Sequence, residues 1–176
     1  MAGAGKDEIG KVFTEEYNFK RYAFGDAVKY DYANSIGANP VDMFNHNKNA
    51  NRPGIIAHGE GKRKDNQRYW IDVVDKDIQE NFANNLPVVI TDIRRVAEID
   101  YIRELIEKYG KKKVYLIKIE RPEENGQAFD EDAETSKALV YAKFKKYVDF
   151  RVYNTSTQKV LVIQMKKIID IIKNKK

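Results

Sequence analysis

The segment Leu86-Pro87-Val88-Val89-Ile90-Thr91-Asp92 constrains the fold more than any other. Its apolar residues are consecutive and largely β-branched, where a half-exposed strand would alternate. That is the pattern of a parallel strand covered on both faces. Helical spacing flanks it on either side, through Trp70, Val73, Val74 and Ile78 before it and over Val96 to Tyr109 after it, where Gly110 supplies a C-terminal stop. A parallel strand between helices implies right-handed crossovers and an α/β architecture.

The rest of the chain fits this alternation. Ile9, Val12, Phe13 and Tyr17 share one helical face, and Arg21 to Phe24 read as a short strand closed by Gly25-Asp26. Ala27 to Ile36 is helical until Gly37 and Pro40 interrupt it. Lys113 to Ile119 and Val148 to Tyr153 are further strands, and Asp132 to Phe144 is a helix. Val160 to Ile172 is a closing helix with Ile163, Ile168, Ile169, Ile171 and Ile172 on a broad apolar face. Residues 37–68 are rich in Asn, Gly, Lys and His, a composition that reads as a long mobile loop or lid. With 176 residues, 42% hydrophobic and 34% charged, one soluble domain is the expectation.

Composition also excludes function classes. The absence of cysteine rules out disulfide frameworks, thiolate metal sites and cysteine nucleophiles, and it fits a reducing cytoplasm. No run reaches the roughly 18 apolar residues of a membrane span, and no apolar signal segment follows Met1, so no membrane role is expected. His46 and His58 are the only histidines, and neither has a partner at metal-ligand spacing. The net charge of +5 favours anionic partners. Much of the excess lies in Lys111 to Lys113 and the Lys173 to Lys176 tail, as solvated surface lysine, so nucleic acid is given little weight.

Three stretches carry chemistry. Gly3-Ala4-Gly5-Lys6-Asp7 stands directly before a helix, where glycine amides and a helix N-terminus can surround phosphate and lysine can bridge its outer oxygens. A full phosphate loop would need an earlier glycine and a hydroxyl residue at Asp7, and the alternative is a flexible terminus. The second stretch, Val88 to Arg95, puts Asp92 at the carboxyl edge of a strand, where open α/β sheets bind ligands. Asp92 there could hold magnesium through water and Arg94 could clamp a phosphate. The alternative is that Asp92 caps the next helix and Arg94 is surface charge. The third runs from Arg52-Pro53 through Gly59-Glu60-Gly61-Lys62-Arg63 to Tyr69-Trp70, basic and glycine-rich with aromatic faces on which a base could stack, although Trp70 taken singly reads as core.

In order and spacing, these stretches resemble the deoxynucleoside monophosphate kinases of bacteriophages and their relatives. Tyr22-Ala23-Phe24-Gly25-Asp26-Ala27-Val28-Lys29, Glu98, and Asp149 to Asn154 add to the match, which runs through nearly the whole chain. The resemblance implies a three-layer, P-loop kinase-like α/β fold with a mostly parallel five-stranded sheet, acting with ATP and magnesium on a nucleoside monophosphate in the cytoplasm. It assigns the ATP phosphates to Gly3, Ala4, Gly5, Lys6 and Asp7. The acceptor side goes to Asp26 and Lys29, the acceptor pocket to Arg63 and Trp70, and the acceptor phosphate to Arg94 beside Asp92. It also implies an acceptor-binding insertion over about 37–68 and a donor lid over about 121–134, where Arg121 is the one arginine in an acidic segment. The family's first strand, in the middle of its sheet, has no counterpart before Gly3. An omitted upstream segment, a remodelled and catalytically inactive nucleotide- or partner-binding descendant, and a strand supplied by another segment or by a second subunit in a homo-oligomer all remain open. A kinase for another small acceptor, such as dephospho-coenzyme A, is a further alternative.

Overall fold

The computed structural model describes residues 6–45, 48–120, 145–155 and 157–174. They fall into two compact units, one spanning Phe19–Ile93 and the other joining Met1–Asn18 to Arg94–Lys176.

In the 19–93 unit, strand β1 (Lys20–Tyr22) pairs in parallel with β2 (Val88–Ile90), with Lys20 opposite Val88 and Tyr22 opposite Ile90. The Thr91 amide, donating to the Tyr22 carbonyl at 3.1 Å, is the next link beyond the ladder. The connection between the strands is helical: α2 (Phe24–Ser35), a 3-10 turn (Pro40–Met43), α3 (Lys48–Asp65) and α4 (Tyr69–Ala83). Gly37, at a φ of 66°, lets the chain leave α2 in the left-handed region that a side chain disfavours. Pro40 opens the 3-10 turn with its φ already set, and the Asn39 side chain accepts from the Val41 amide at 3.0 Å. Phe24, Val28, Ala33, Met43, Trp70, Ile71, Val74 and Ile78 form the core.

Three expectations are corrected here. The stretch read as a mobile loop over 37–68 contains the 18-residue helix α3. Gly54 and Gly59 mark a close helix crossing, not a loop. A Cβ on Gly59 would come within 3.0 Å of Val28 of α2, and one on Gly54 would collide with the Tyr32 hydroxyl at 2.1 Å. The packing of α3 on α2 therefore overrides the low helix propensity of glycine and of Pro53. On α4, Val73 is 51% exposed while Ile71 is buried, so the inward face is rotated from the one expected. The β2 run is also less enclosed than its sequence implies: Val88, Val89 and Ile90 are half-buried, in a sheet of two strands.

In the other unit, α1 (Lys6–Tyr17) packs on α6 (Gln158–Asn174), and Lys166 reaches Glu16 at 2.6 Å. Leu161, Met165, Ile168 and Ile169 are the buried positions of α6, whereas Ile163 and Ile171, expected on the apolar face, are exposed. Helix α5 (Val96–Tyr109) has the predicted bounds, with Gly110 at a φ of 91°. Strands β3 (Leu116–Glu120) and β4 (Val148–Tyr153) pair in parallel with an irregularity between Leu116 and Ile117. There the Asp149 carboxylate accepts from the Leu116 amide at 2.8 Å and from the Lys111 ammonium at 2.9 Å, so a side chain satisfies a donor that the ladder leaves out. Among the described residues the four strands thus form two separate parallel pairs. The helix expected at 132–144 and the donor lid at 121–134, with Arg121, lie outside the described residues.

Candidate functional site

Helix α2 starts without a local cap. Ala23 is extended at the N-cap position and has no side-chain oxygen to offer, which leaves the first amides of the helix in need of acceptors. Asp92, just past the end of β2, supplies them. Its Oδ1 accepts from the Phe24 amide at 2.9 Å and its Oδ2 from the Gly25 amide at 2.7 Å. The negative charge also complements the positive end of the helix. A Cβ on Gly25 would lie 3.1 Å from Oδ2, so the bare backbone at this position is what admits the carboxylate.

The next residue, Asp26, joins two cations. Its Oδ2 accepts from Arg21 Nη1 at 2.6 Å and its Oδ1 from Lys29 Nζ at 2.8 Å. Burial opposes ionisation of Asp26, but hydrogen bonds from Lys29 and Arg21, with their charges, outweigh it and hold the carboxyl below the usual carboxylate range. Lys29 also sits 4.3 Å above the centre of the Phe44 ring, which in turn lies 5.2 Å from the ring of Tyr30. A cation held between a carboxylate and an aromatic face is fixed in direction, with little side-chain freedom left to lose on binding an anion.

Helix α3 brings Arg63 to the same helix cluster. The guanidinium folds back along the helix, near Gly59 and hence toward the Val28 contact with α2, and meets Glu60 at 3.0 Å. Trp70 of α4 is 2% exposed and donates its indole N–H to the Gly59 carbonyl at 3.0 Å. Enclosed in this way it offers no face to a substrate base, and the expected pocket role is corrected. Trp70 locks α4 to α3 at the glycine over which α2 passes. His58 is paired as well, its Nε2 lying 2.7 Å from Asp31 Oδ2.

The structure therefore brings Asp26 and Lys29 together on α2 and places Arg63 on the helix packed against it. It adds Arg21 and Phe44, which the sequence did not single out, and a partner for Trp70 in the Gly59 carbonyl. Arg21 was hidden because its partner lies five residues on, across a strand-to-helix turn with no fixed period. Phe44 and the Gly59 carbonyl depend on tertiary packing alone. By contrast, the Asp26–Lys29 spacing of i, i+3 is a readable helical pair.

In the other unit, Arg94 is exposed and its guanidinium forms no ion pair among the described residues. Its backbone amide and that of Arg95 donate to the Glu98 carboxylate at 2.6 and 2.9 Å. Glu98, 5% exposed, thereby caps α5 from inside the helix. The alternative sequence reading, in which Asp92 caps the helix after it, is replaced by this arrangement: Glu98 caps α5 and Asp92 caps α2.

Gly3, Ala4 and Gly5 lie outside the described residues, as do the side chains of Lys6 and Asp7, whose backbones open α1. Asp92, expected to hold magnesium through water, has each of its oxygens facing an amide N–H. Among the described residues no group of three or more His, Asp or Glu side chains converges as a metal site. No family model matches the chain, and no match is found among curated proteins or solved structures.

Proposed function

We propose that this chain binds a nucleoside monophosphate on the α2–α3–α4 cluster and phosphorylates it at the expense of ATP. One observation carries the reading. Asp26, Lys29 and Arg63, separated by up to 37 positions in the chain, lie on two helices that cross at Gly59, and Asp26 orients both Arg21 of β1 and Lys29 of α2. Basic groups held this way suit an anionic acceptor.

Phosphoryl transfer asks the protein mainly to position its substrates and to offset developing charge. On this reading Lys29 and Arg63 attract the acceptor phosphate, and Asp26 fixes the direction of Lys29. By the sequence resemblance, Lys6 would hold the ATP phosphates and Arg94 would grip the acceptor phosphate.

The test is ADP release in a coupled assay with each deoxynucleoside monophosphate, alongside calorimetric binding of the same nucleotides. Turnover that saturates with one or more acceptors is expected, and Lys29→Ala and Arg63→Ala should each raise the acceptor KM about tenfold or more, the scale of a lost charge-assisted hydrogen bond. Lys6→Ala and Arg94→Ala should depress kcat/KM strongly in a folded protein. Saturable binding without ADP would leave a nucleotide-binding protein in place of an enzyme. No saturable binding of any monophosphate overturns both.

A further inference from the structure

Asp92 joins the end of β2 to the start of α2. The β1–β2 ladder is three residues long on each side and its last link is the Thr91 amide. Asp92 follows at once, and its two oxygens take the successive amides of Phe24 and Gly25. One acceptor per amide fixes both the height of α2 relative to the end of β2 and the rotation of α2 about its own axis. That rotation decides where Asp26 and Lys29 point, one and four residues beyond Gly25. The local sequence supplies no substitute, since Ala23 carries no capping group.

We infer that Asp92 is a positioning residue for the acceptor helix: by capping α2 from the end of β2 it sets Asp26 and Lys29 in the arrangement that receives a nucleoside monophosphate. The inference rests on the function proposed above and deepens it. Asp92 acts through backbone amides, so its contribution belongs to acceptor binding and is independent of magnesium. A metal-ligating aspartate would behave in the opposite way, leaving acceptor affinity intact and raising the magnesium requirement.

Two variants address the same contact from opposite sides. Asp92→Asn keeps size and shape but turns an NH2 group toward one of the two N–H donors. Gly25→Ala leaves the carboxylate intact and pushes a methyl group to 3.1 Å from Oδ2. Calorimetric titration with deoxynucleoside monophosphates, without ATP or magnesium, should show affinity about ten- to a hundredfold weaker in both variants. The magnesium dependence of any turnover should be unchanged. Amide hydrogen exchange at Phe24 and Gly25 should accelerate in Asp92→Asn while the core of α4 stays protected, which separates local release from unfolding. Unaltered acceptor affinity in both variants, unaltered exchange at the two amides, or a change confined to magnesium dependence overturns the inference. Absence of nucleotide binding in the unsubstituted protein removes the proposed function itself and the acceptor role with it, while the two amides still report whether the tie exists.

Discussion

Asp26 shows how a single carboxylate can be read from sequence and still be misjudged in its surroundings. The i, i+3 spacing to Lys29 reveals one partner, but the second, Arg21, comes from the strand before the helix. Because both partners lower its pKa in the folded protein, Asp26 stabilises the fold above the carboxylate range, and this stability is lost as pH falls through its depressed folded value. The stability difference between the unsubstituted protein and Asp26→Asn should therefore be largest near neutrality, about 0.5–1 kcal/mol after solvent screening, and should shrink as pH falls through the depressed folded value. Chemical denaturation at a series of pH values checks this, and a difference that grows on acidification contradicts it. Trp70 illustrates the converse case: an indole beside basic residues suggests base stacking, and only the Gly59 carbonyl reveals that its polar atom is already satisfied inside the core.

At the scale of elements, legibility followed the balance between local propensity and packing. Helix α5 was readable to its ends because an apolar face, a buried Glu98 at the third position and a terminating glycine all agree. Helix α3 was not, since its glycines and Pro53 signal a loop locally, whereas Gly54 and Gly59 serve a close crossing here. Its glycines should respond oppositely to substitution. Gly61, exposed with open space around its missing Cβ, should gain about 0.5–1 kcal/mol as alanine. Gly54→Ala should cost about 1–3 kcal/mol through the clash with Tyr32. Removing the hydroxyl with Tyr32→Phe should recover part of that loss, a coupling measurable in a double-mutant cycle. Equal stabilisation at both glycines would contradict the crossing. The strands stood between these cases. Their place and parallel sense were legible, but the consecutive apolar run of β2 implied more cover than its half-buried residues receive.

For the whole molecule, the net charge of +5 favours anionic ligands without choosing among them, and the proposed function commits to a mononucleotide at the α2–α3 crossing. No helix among the described residues is long and apolar enough to cross a membrane. A mononucleotide site with two or three cations should lose affinity only gently with salt, whereas a nucleic-acid interface would show a steep dependence. The most direct test of the central claim is a backbone amide NMR titration of the unsubstituted protein with deoxynucleoside monophosphates. Saturable shift changes concentrated around Asp26, Lys29 and Arg63 are expected, and they should weaken in Lys29→Ala. Saturable changes elsewhere that leave these three residues unmoved, or none at all, would contradict the account.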